Sequence, residues 1–384
     1  MARTPEKFRE SGVDVRIRTR VDEIDVKSAR VRLNDGSELA FDILVLGTGT
    51  LAIRPEIPGT DLPGVFALKK LEEALAIKAY IAEKDCRNAV IVGAGFIAME
   101  MCEALRARGI ETTVVHRGAL PVNRWDPEFG KLIVAEMEKN GVTFLANVGI
   151  RAIEEGAGQR LRLVTSGGDL YADLVILAVG VRPNTALAEA AGVPLGKSGA
   201  VAVNFSQRTD MEGIYAVGDC CESYHRVSRS WVHVPLGDIA NKQGRVAGAN
   251  IGGKAMIFPG IVGAQSFKVF GLEVAAAGIG EREAAAAGYH PASVLIWGNA
   301  IAPSMPAAKK VGIKLVADRA SGKLLGAQAL GEAGAVGRIN ALACALWAGL
   351  GVDEIGYLDF AYAPPFSPAW DPIHVAAQTL RRKM

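Results

Sequence analysis

The sequence predicts an α/β chain on three observations. Strand and helix patterns alternate through residues 88–180, glycines sit at the ends of the apolar strands, and after about residue 258 the pattern changes to a strand-rich stretch with an alanine-rich helix over 335–350. The alternation is the order of a doubly wound sheet. With 384 residues, half of them hydrophobic and 22% charged, the chain can bury a large core and is long enough for two or three domains. Its 44 glycines do not signal disorder, because so high a hydrophobic fraction drives collapse.

Composition also excludes function classes. A net charge of +2 gives no electrostatic footprint for nucleic acid or an anionic membrane. No apolar run reaches the roughly 20 residues needed to span a bilayer, and the opening MARTPEKFRESG has no apolar core of a signal peptide. A soluble, cytoplasmic protein is expected. Cys86, Cys102, Cys220, Cys221 and Cys344 form no CxxC pair and no metal-ligand spacing with the histidines, so no metal site is expected. The adjacent Cys220 and Cys221 can be read as a redox pair or, like the other three, as small half-buried thiols.

In chain order, residues 13–46 alternate as a β meander (VDVRIRTRV, ARVRL, ELAFDILVLG) with Asn34-Asp35-Gly36 as a turn. Residues 51–64 carry Pro55, Pro58, Gly59, Pro63 and Gly64 and read as a crossover between domains. Then come NAVIVG, FIAMEMCEALRARG, ETTVVH, PEFGKLIVAEMEKNG, VTFLA, RLRLVTS and DLVILAVG: strand, helix, strand, helix, meander, strand.

The strongest local signal is Gly93-Ala94-Gly95-Phe96-Ile97-Ala98, which follows an apolar strand and opens an amphipathic helix. Gly93 permits the tight turn, Gly95 lets the backbone approach a pyrophosphate, Ile97 lies in the same first turn, and Ala98 is small enough for close helix packing. The helix start then faces the anion. An acid about 20 positions after the first glycine would bind the adenosine ribose of NAD; here the second strand ends in His116-Arg117, which suit a 2′-phosphate, so NADPH is expected, with NADH possible. The alternative is that both are solvated loop residues.

Further motifs carry a family resemblance. The run from Thr209 to Asp219 (TDMEGIYAVGD) resembles the second FAD signature of the pyridine nucleotide-disulfide oxidoreductases, which implies that Gly218 and Asp219 hold the flavin's ribityl chain. FDILVLGTG, ending in Gly47-Thr48-Gly49, resembles that family's strand ending in Ala-Thr-Gly, and Gly180-Val181-Arg182-Pro183-Asn184 resembles the turn closing its nicotinamide domain. Pro235-Leu236 and the following ANKQGRVAG resemble the helix whose start faces the flavin's pyrimidine edge. IKLV at 313–316, GAQ at 326–328 and YAPPFSP at 362–368 resemble the dimerisation domain of the coenzyme A-disulfide reductase and NADH oxidase branch.

The resemblance implies two interleaved FAD- and NAD(P)-binding Rossmann-like domains plus an α+β dimerisation domain. The expected bounds are 1–53 and 182–257 for flavin, 54–181 for NAD(P)H and 262–384 for dimerisation. It implies a homodimer in which Tyr362 reaches the partner's thiol site, and a role near the nicotinamide for Glu100, whose other reading is a solvated helix residue. Hydride would pass from NAD(P)H to flavin and on to a disulfide or persulfide such as coenzyme A disulfide. The alternatives are an oxidase or peroxidase of the same branch, or a non-catalytic NADPH-binding remnant. Two departures stand out: Ser304 and Met305 occupy the place of a tyrosine pair, and the first βαβ unit, with its GxGxxG for FAD and the redox cysteine, has no counterpart. The flavin domain is therefore expected to be incomplete, and the chain as given to be inactive in disulfide reduction without that segment. His225, His233 and His374, and Trp231, Trp297, Trp347 and Trp370, read as structural or interface residues.

Overall fold

A computed structural model describes residues 4–156 and 160–384. The chain forms two compact units: one from the residues up to Thr50, Pro183–Tyr224 and Trp231–Gly260, the other from Leu51–Arg182, His225–Ser230 and Ile261–Met384.

In the first unit, strands Val21–Asp25, Arg30–Leu33 and Glu38–Ala40 make an antiparallel meander, with Ile24 opposite Val31 and Arg32 opposite Glu38. Gly36, at φ +82°, turns the second hairpin as its Asn-Asp-Gly composition predicts. Residues 13–20 are not strand, although they alternate: Arg18 takes a left-handed φ of +56°, no strand pairs with the segment, and Val13 and Ile17 are exposed. Alternation without a partner does not make a strand. The meander packs on Leu46, Val201 and Ile214. Strand Leu44–Leu46 runs parallel to Ile214–Ala216, so two distant segments end side by side.

The second unit holds a five-stranded parallel sheet in the spatial order Val65–Ala67, Leu174–Leu177, Asn88–Val92, Glu111–His116, Val142–Ala146. The inner strands Leu174–Leu177 and Asn88–Val92 are almost wholly apolar because both faces of the sheet are covered. One face meets the three-stranded sheet Ile150–Glu155, Leu161–Thr165, Leu170–Ala172, through Val90, Leu163 and Val175 among others. The other carries helices Phe96–Arg106 and Pro127–Lys139.

A five-stranded antiparallel sheet follows, in the order Gln265–Val269, Leu272–Gly278, Leu324–Gly331, Lys310–Asp318, Pro291–Asn299, with helices Ala335–Ala348 and Pro372–Arg381 packed on it. The boundary near residue 260 separates two sheets but not two cores: Phe267, Val274 and Leu330 pack with Ile91, Met99 and Ile133. A buried lysine adds to this junction. Lys314 Nζ lies 2.9 Å from Asp126 Oδ2, 2.9 Å from Glu281 Oε1 and 3.4 Å from Glu128 Oε1. Among the described residues no helix is long and apolar enough to cross a membrane, and no group of three His, Cys, Asp or Glu could hold a metal ion.

Candidate active site

The glycine turn sits at the carboxyl end of the central parallel strand Asn88–Val92, where ligands of such sheets bind. Gly93 takes φ +105°, and a Cβ there would stand 2.3 Å from the Ala178 carbonyl oxygen of the neighbouring strand end. Only glycine fits. Gly95 has an ordinary extended backbone, and a Cβ there would meet nothing within 4 Å, so the space in front of it is open. It is the N-cap of helix Phe96–Arg106, which has no side-chain cap and no acid in its first turn. The free N–H groups of that turn therefore face the opening with nothing negative beside them. Ala98 is fully buried, Ile97 half-buried and Glu100 exposed on the same helix. The following loop folds back on the turn, Val122 N donating to Ala94 O at 2.9 Å.

His116 ends the next strand, but its ring turns under the loop: a Cβ on Gly118 would stand 2.8 Å from His116 Nε2, which is buried without a partner. Burial holds its pKa below the ordinary histidine value and the Arg117 charge pushes the same way, against a hydrogen bond with Asn123. Arg117 itself is exposed. The positive charge at this strand end thus resides on Arg117, not on both residues.

A cleft of about 780 Å³ opens by the ends of strands Val65–Ala67 and Leu174–Leu177, lined by Arg54, Lys69, Lys70 and Arg182 against Glu56 and Glu73. Glu73 accepts the backbone N–H groups of Lys69 and Lys70 at 2.6 and 2.8 Å, so its charge is spent on the start of helix Leu71–Lys84 and the lining is net cationic. Gly180, at φ +117°, accepts from Ile53 N at 3.0 Å near this cleft. Arg182 lies more than 100 positions after Arg54, Lys69 and Lys70, so the sequence alone does not show that the four share a cleft.

In the other unit, the two adjacent parallel strands present their ends together. Thr48 Oγ1 donates to Asn184 O at 2.6 Å, and Asn184 N donates to Gly49 O at 2.9 Å. Beside them Gly218, at φ +76°, begins a short 3-10 turn with Asp219. Thr50 Oγ1 stands 3.5 Å from Asp219 Oδ2, and His233 Nε2 lies 2.8 Å from Asp219 O. Pro235 and Leu236 lead into helix Gly237–Ile251, whose start has no side-chain cap. This helix passes so close that a Cβ on Gly218 would stand 3.3 Å from Ala240 Cβ. Gln243, fully buried, accepts from Gly218 N at 2.8 Å and donates to Ser223 Oγ at 3.0 Å. Its signal in the sequence is its place on the helix's apolar face with Ile239, Val246 and Ala247.

Four of the five thiols are closed off by burial. Cys220 and Cys221 are buried and unpaired, and burial pushes the Cys221 thiol well above its ordinary value, which keeps it protonated. Cys102 is pushed up to about 12 by burial, and Cys86 is also raised by burial. Cys344 alone of the five is exposed, so the half-buried reading fails for it.

In the C-terminal sheet domain, Tyr362 is 57% exposed on the loop before helix Pro372–Arg381. Phe366, Tyr357, Trp370, Trp297 and Trp347 are exposed in the same domain. The loop at 299–306 meets the Tyr362 segment through Ala302 N, which donates to Pro364 O at 3.0 Å.

This arrangement, with a glycine turn behind an uncapped helix and a second set of strand ends closed by Gly-Asp, defines a two-nucleotide oxidoreductase. The chain belongs to the pyridine nucleotide-disulphide oxidoreductases: residues 2–243 match that family and residues 264–372 match its dimerisation domain. It is a flavin- and NAD(P)H-dependent oxidoreductase. It is 36% identical, over 98% of its length and 85% of the relative's, to an NAD(P)H sulfur oxidoreductase (CoA-dependent) of Pyrococcus furiosus. It is 33% identical to an NADH oxidase of Methanocaldococcus jannaschii, over 99% of this chain and 86% of that one. The solved structure of an NAD-dependent persulfide reductase from A. fulgidus matches with a TM-score of 0.96 at 36% identity, covering 99% of this chain and 71% of that one.

Proposed function

We propose that the protein uses NADPH to reduce a small disulfide or persulfide, coenzyme A disulfide among them, as a cytoplasmic homodimer. The observation that carries the reading is the open, acid-free helix start behind Gly95, which has no side-chain cap and suits a phosphate-bearing cofactor. Residues 54–181 then form the NADPH domain, 1–53 with 182–257 the flavin-binding part, and 262–384 the dimerisation domain. Gly93 shapes the turn, Gly95 and Ile97 line the pyrophosphate approach, Ala98 seats the helix, and Gly180 closes the nicotinamide end. Arg117 meets the 2′-phosphate, with His116 neutral beneath it, and Glu100 receives the nicotinamide carboxamide. The cations Lys69, Lys70 and Arg182 draw the anionic cofactor toward the sheet.

Thr48, Gly49, Gly218 and Asp219 fit a polyhydroxylated chain, because Asp219 and Thr48 supply an acceptor and a hydroxyl beside Gly49, which leaves the space in front of the backbone open, and Gly218 turns the strand end. The start of the helix after Pro235 and Leu236 places its free N–H groups toward negative charge. FAD, when bound, supplies a two-electron carrier between nicotinamide and sulfur. Tyr362 acts at the thiol site of the partner subunit. The net reaction consumes one NADPH and one proton per disulfide and releases two thiols, and its thiol nucleophile is none of the buried Cys86, Cys102, Cys220 and Cys221.

A second reading, an oxidase that passes the electrons to oxygen, is favoured by Ser304 and Met305 standing where a thiol-recognising tyrosine pair is expected. One assay separates the two. The purified chain with FAD is given NADPH and coenzyme A disulfide under nitrogen; the proposed function requires two thiols released per NADPH consumed. Consumption of NADPH only when air is admitted supports the oxidase and overturns disulfide reduction.

A further inference from the structure

The 299–306 loop and the turn after Tyr362 meet directly through Ala302 and Pro364, and both are tied to one buried ion pair. Arg338, on helix Ala335–Ala348, and Asp371, at the cap of helix Pro372–Arg381, are 8% and 6% exposed. Arg338 Nε lies 3.1 Å from both Asp371 carboxylate oxygens, and Nη2 lies 2.7 Å from Oδ2. The rest of the guanidinium is also used: Nη2 donates to Ala300 O at 2.8 Å and Nη1 to Gly334 O at 3.1 Å. Asp371 in turn accepts Ile373 N at 2.9 Å and Ser367 Oγ at 3.2 Å.

These bonds close a circuit. It runs from Arg338 to Ala300, along the loop to Ala302, and across to Pro364 at 3.0 Å. It then follows the turn in which Phe366 N and Ser367 N donate to Ala363 O at 2.9 and 3.1 Å, and returns through Ser367 and Asp371 to Arg338. Tyr362 stands directly before that turn. Helix packing alone does not call for such a circuit, since apolar residues of similar volume would hold the helices together as well. A rigid fork that grips a carboxylate and a carbonyl in different directions does what a lysine's single ammonium cannot.

We propose that Arg338 and Asp371 are the positioning pair of the sulfur site, fixing the 299–306 loop and the Tyr362 turn as one body. Its functional meaning rests on the role given to Tyr362 above; the mechanical coupling does not. The test is amide hydrogen exchange on the full chain, comparing wild type with Arg338→Lys and with the milder Ser367→Ala, which removes only the hydroxyl that meets Asp371 and Pro368 O. Peptides covering 299–306 and 362–368 should both exchange at least tenfold faster in Arg338→Lys. Both should also loosen, by threefold or more, in Ser367→Ala, while strands Lys310–Asp318 and Leu324–Gly331 keep their rates. Loosening of one segment alone, or of the whole sheet equally, overturns the proposal. If Arg338→Lys does not fold, Ser367→Ala decides by the same criterion. Kinetics then separate the coupling from its meaning: Arg338→Lys should raise KM for coenzyme A disulfide at least fivefold with KM for NADPH unchanged. Unaltered disulfide turnover in Tyr362→Phe removes the role of Tyr362 and leaves the exchange result standing.

Discussion

Gly93 and Gly95 are two residues apart and should fail in opposite ways when given a side chain. At Gly93 an alanine Cβ would stand 2.3 Å from Ala178 O and 2.7 Å from Ala178 C, both backbone, at φ +105°. The backbone strain costs about 1–3 kcal/mol, and forcing the strand ends apart costs about 1–3 kcal/mol more. The Gly93→Ala variant should therefore lose roughly 2–6 kcal/mol of stability, a fall in Tm of roughly 3–7 °C for a protein of this size. At Gly95 the backbone is extended, with φ −85° and ψ −170°, and no heavy atom lies within 4 Å of the new Cβ. The Gly95→Val variant should lose only the helix-cap preference, about 1 kcal/mol or less.

Its effect falls instead on the ligand. A side chain at Gly95 fills the space through which the backbone approaches the pyrophosphate, and each hydrogen bond to a charged group lost there is worth about 1.5–3 kcal/mol, or about 10- to 150-fold in Kd. Thermal melts followed by circular dichroism give the first quantity, and quenching of protein fluorescence on NADPH titration gives the second. The reasoning is refuted if Gly95→Val binds NADPH as wild type does, or if Gly93→Ala melts at the wild-type temperature.

Arg117→Ala should remove most of a preference for NADPH over NADH of about 1.5–3 kcal/mol, read by titrating both nucleotides at low salt; equal wild-type affinities would count against Arg117 as the phosphate ligand. Lys314→Met leaves Asp126, Glu128 and Glu281 without their cation and, since these carboxylates are partly solvated, should cost about 1–3 kcal/mol in a denaturant melt; wild-type stability would show that the cluster is dispensable. Burial alone would raise the Glu281 carboxyl, but the Ser293 hydroxyl and the Lys314 ammonium bring it below the ordinary glutamate value. Its stabilisation is complete above the unfolded glutamate pKa of about 4.3 and is lost as pH falls through the lower folded value. Glu281→Gln should flatten that acid limb, and an unchanged pH profile would contradict the assignment. Phe366→Lys, at a 77% exposed position, should shift the mass by light scattering from dimer toward monomer if this face meets a second copy; an unchanged dimer would place the interface elsewhere.

Much of the nucleotide sheet is legible in the sequence because each element repeats its own period. Asn88–Val92, Phe96–Arg106 and Glu111–His116 fall where apolar runs and a 3.6-residue stripe put them, and the turn between them needs Gly93 for a reason that one φ angle states. The same periodicity misleads at 13–20, where alternation meets no partner strand. It is also silent about direction: that the His116 ring turns inward while Arg117 turns out depends on Gly118 and the loop above it.

The larger omissions share one physical cause. Gln243, Lys314 and Arg338 each sit among apolar residues of a helix or strand, and each is buried because a group far away in sequence receives it. Gln243 takes the amide of Gly218, Lys314 takes Asp126 and Glu281, and Arg338 takes Asp371. A polar residue on an apolar stripe is therefore readable as a demand for a partner, since burying it unpaired would cost more than the fold can spare. Which residue meets the demand depends on loop paths that carry no period. For Lys314 the answer lies 188 positions back, at the cap of a helix in the other sheet's layer. This is why IKLV at 313–316 could be recognised by its resemblance to a dimerisation domain while the role of Lys314 in joining two sheets could not.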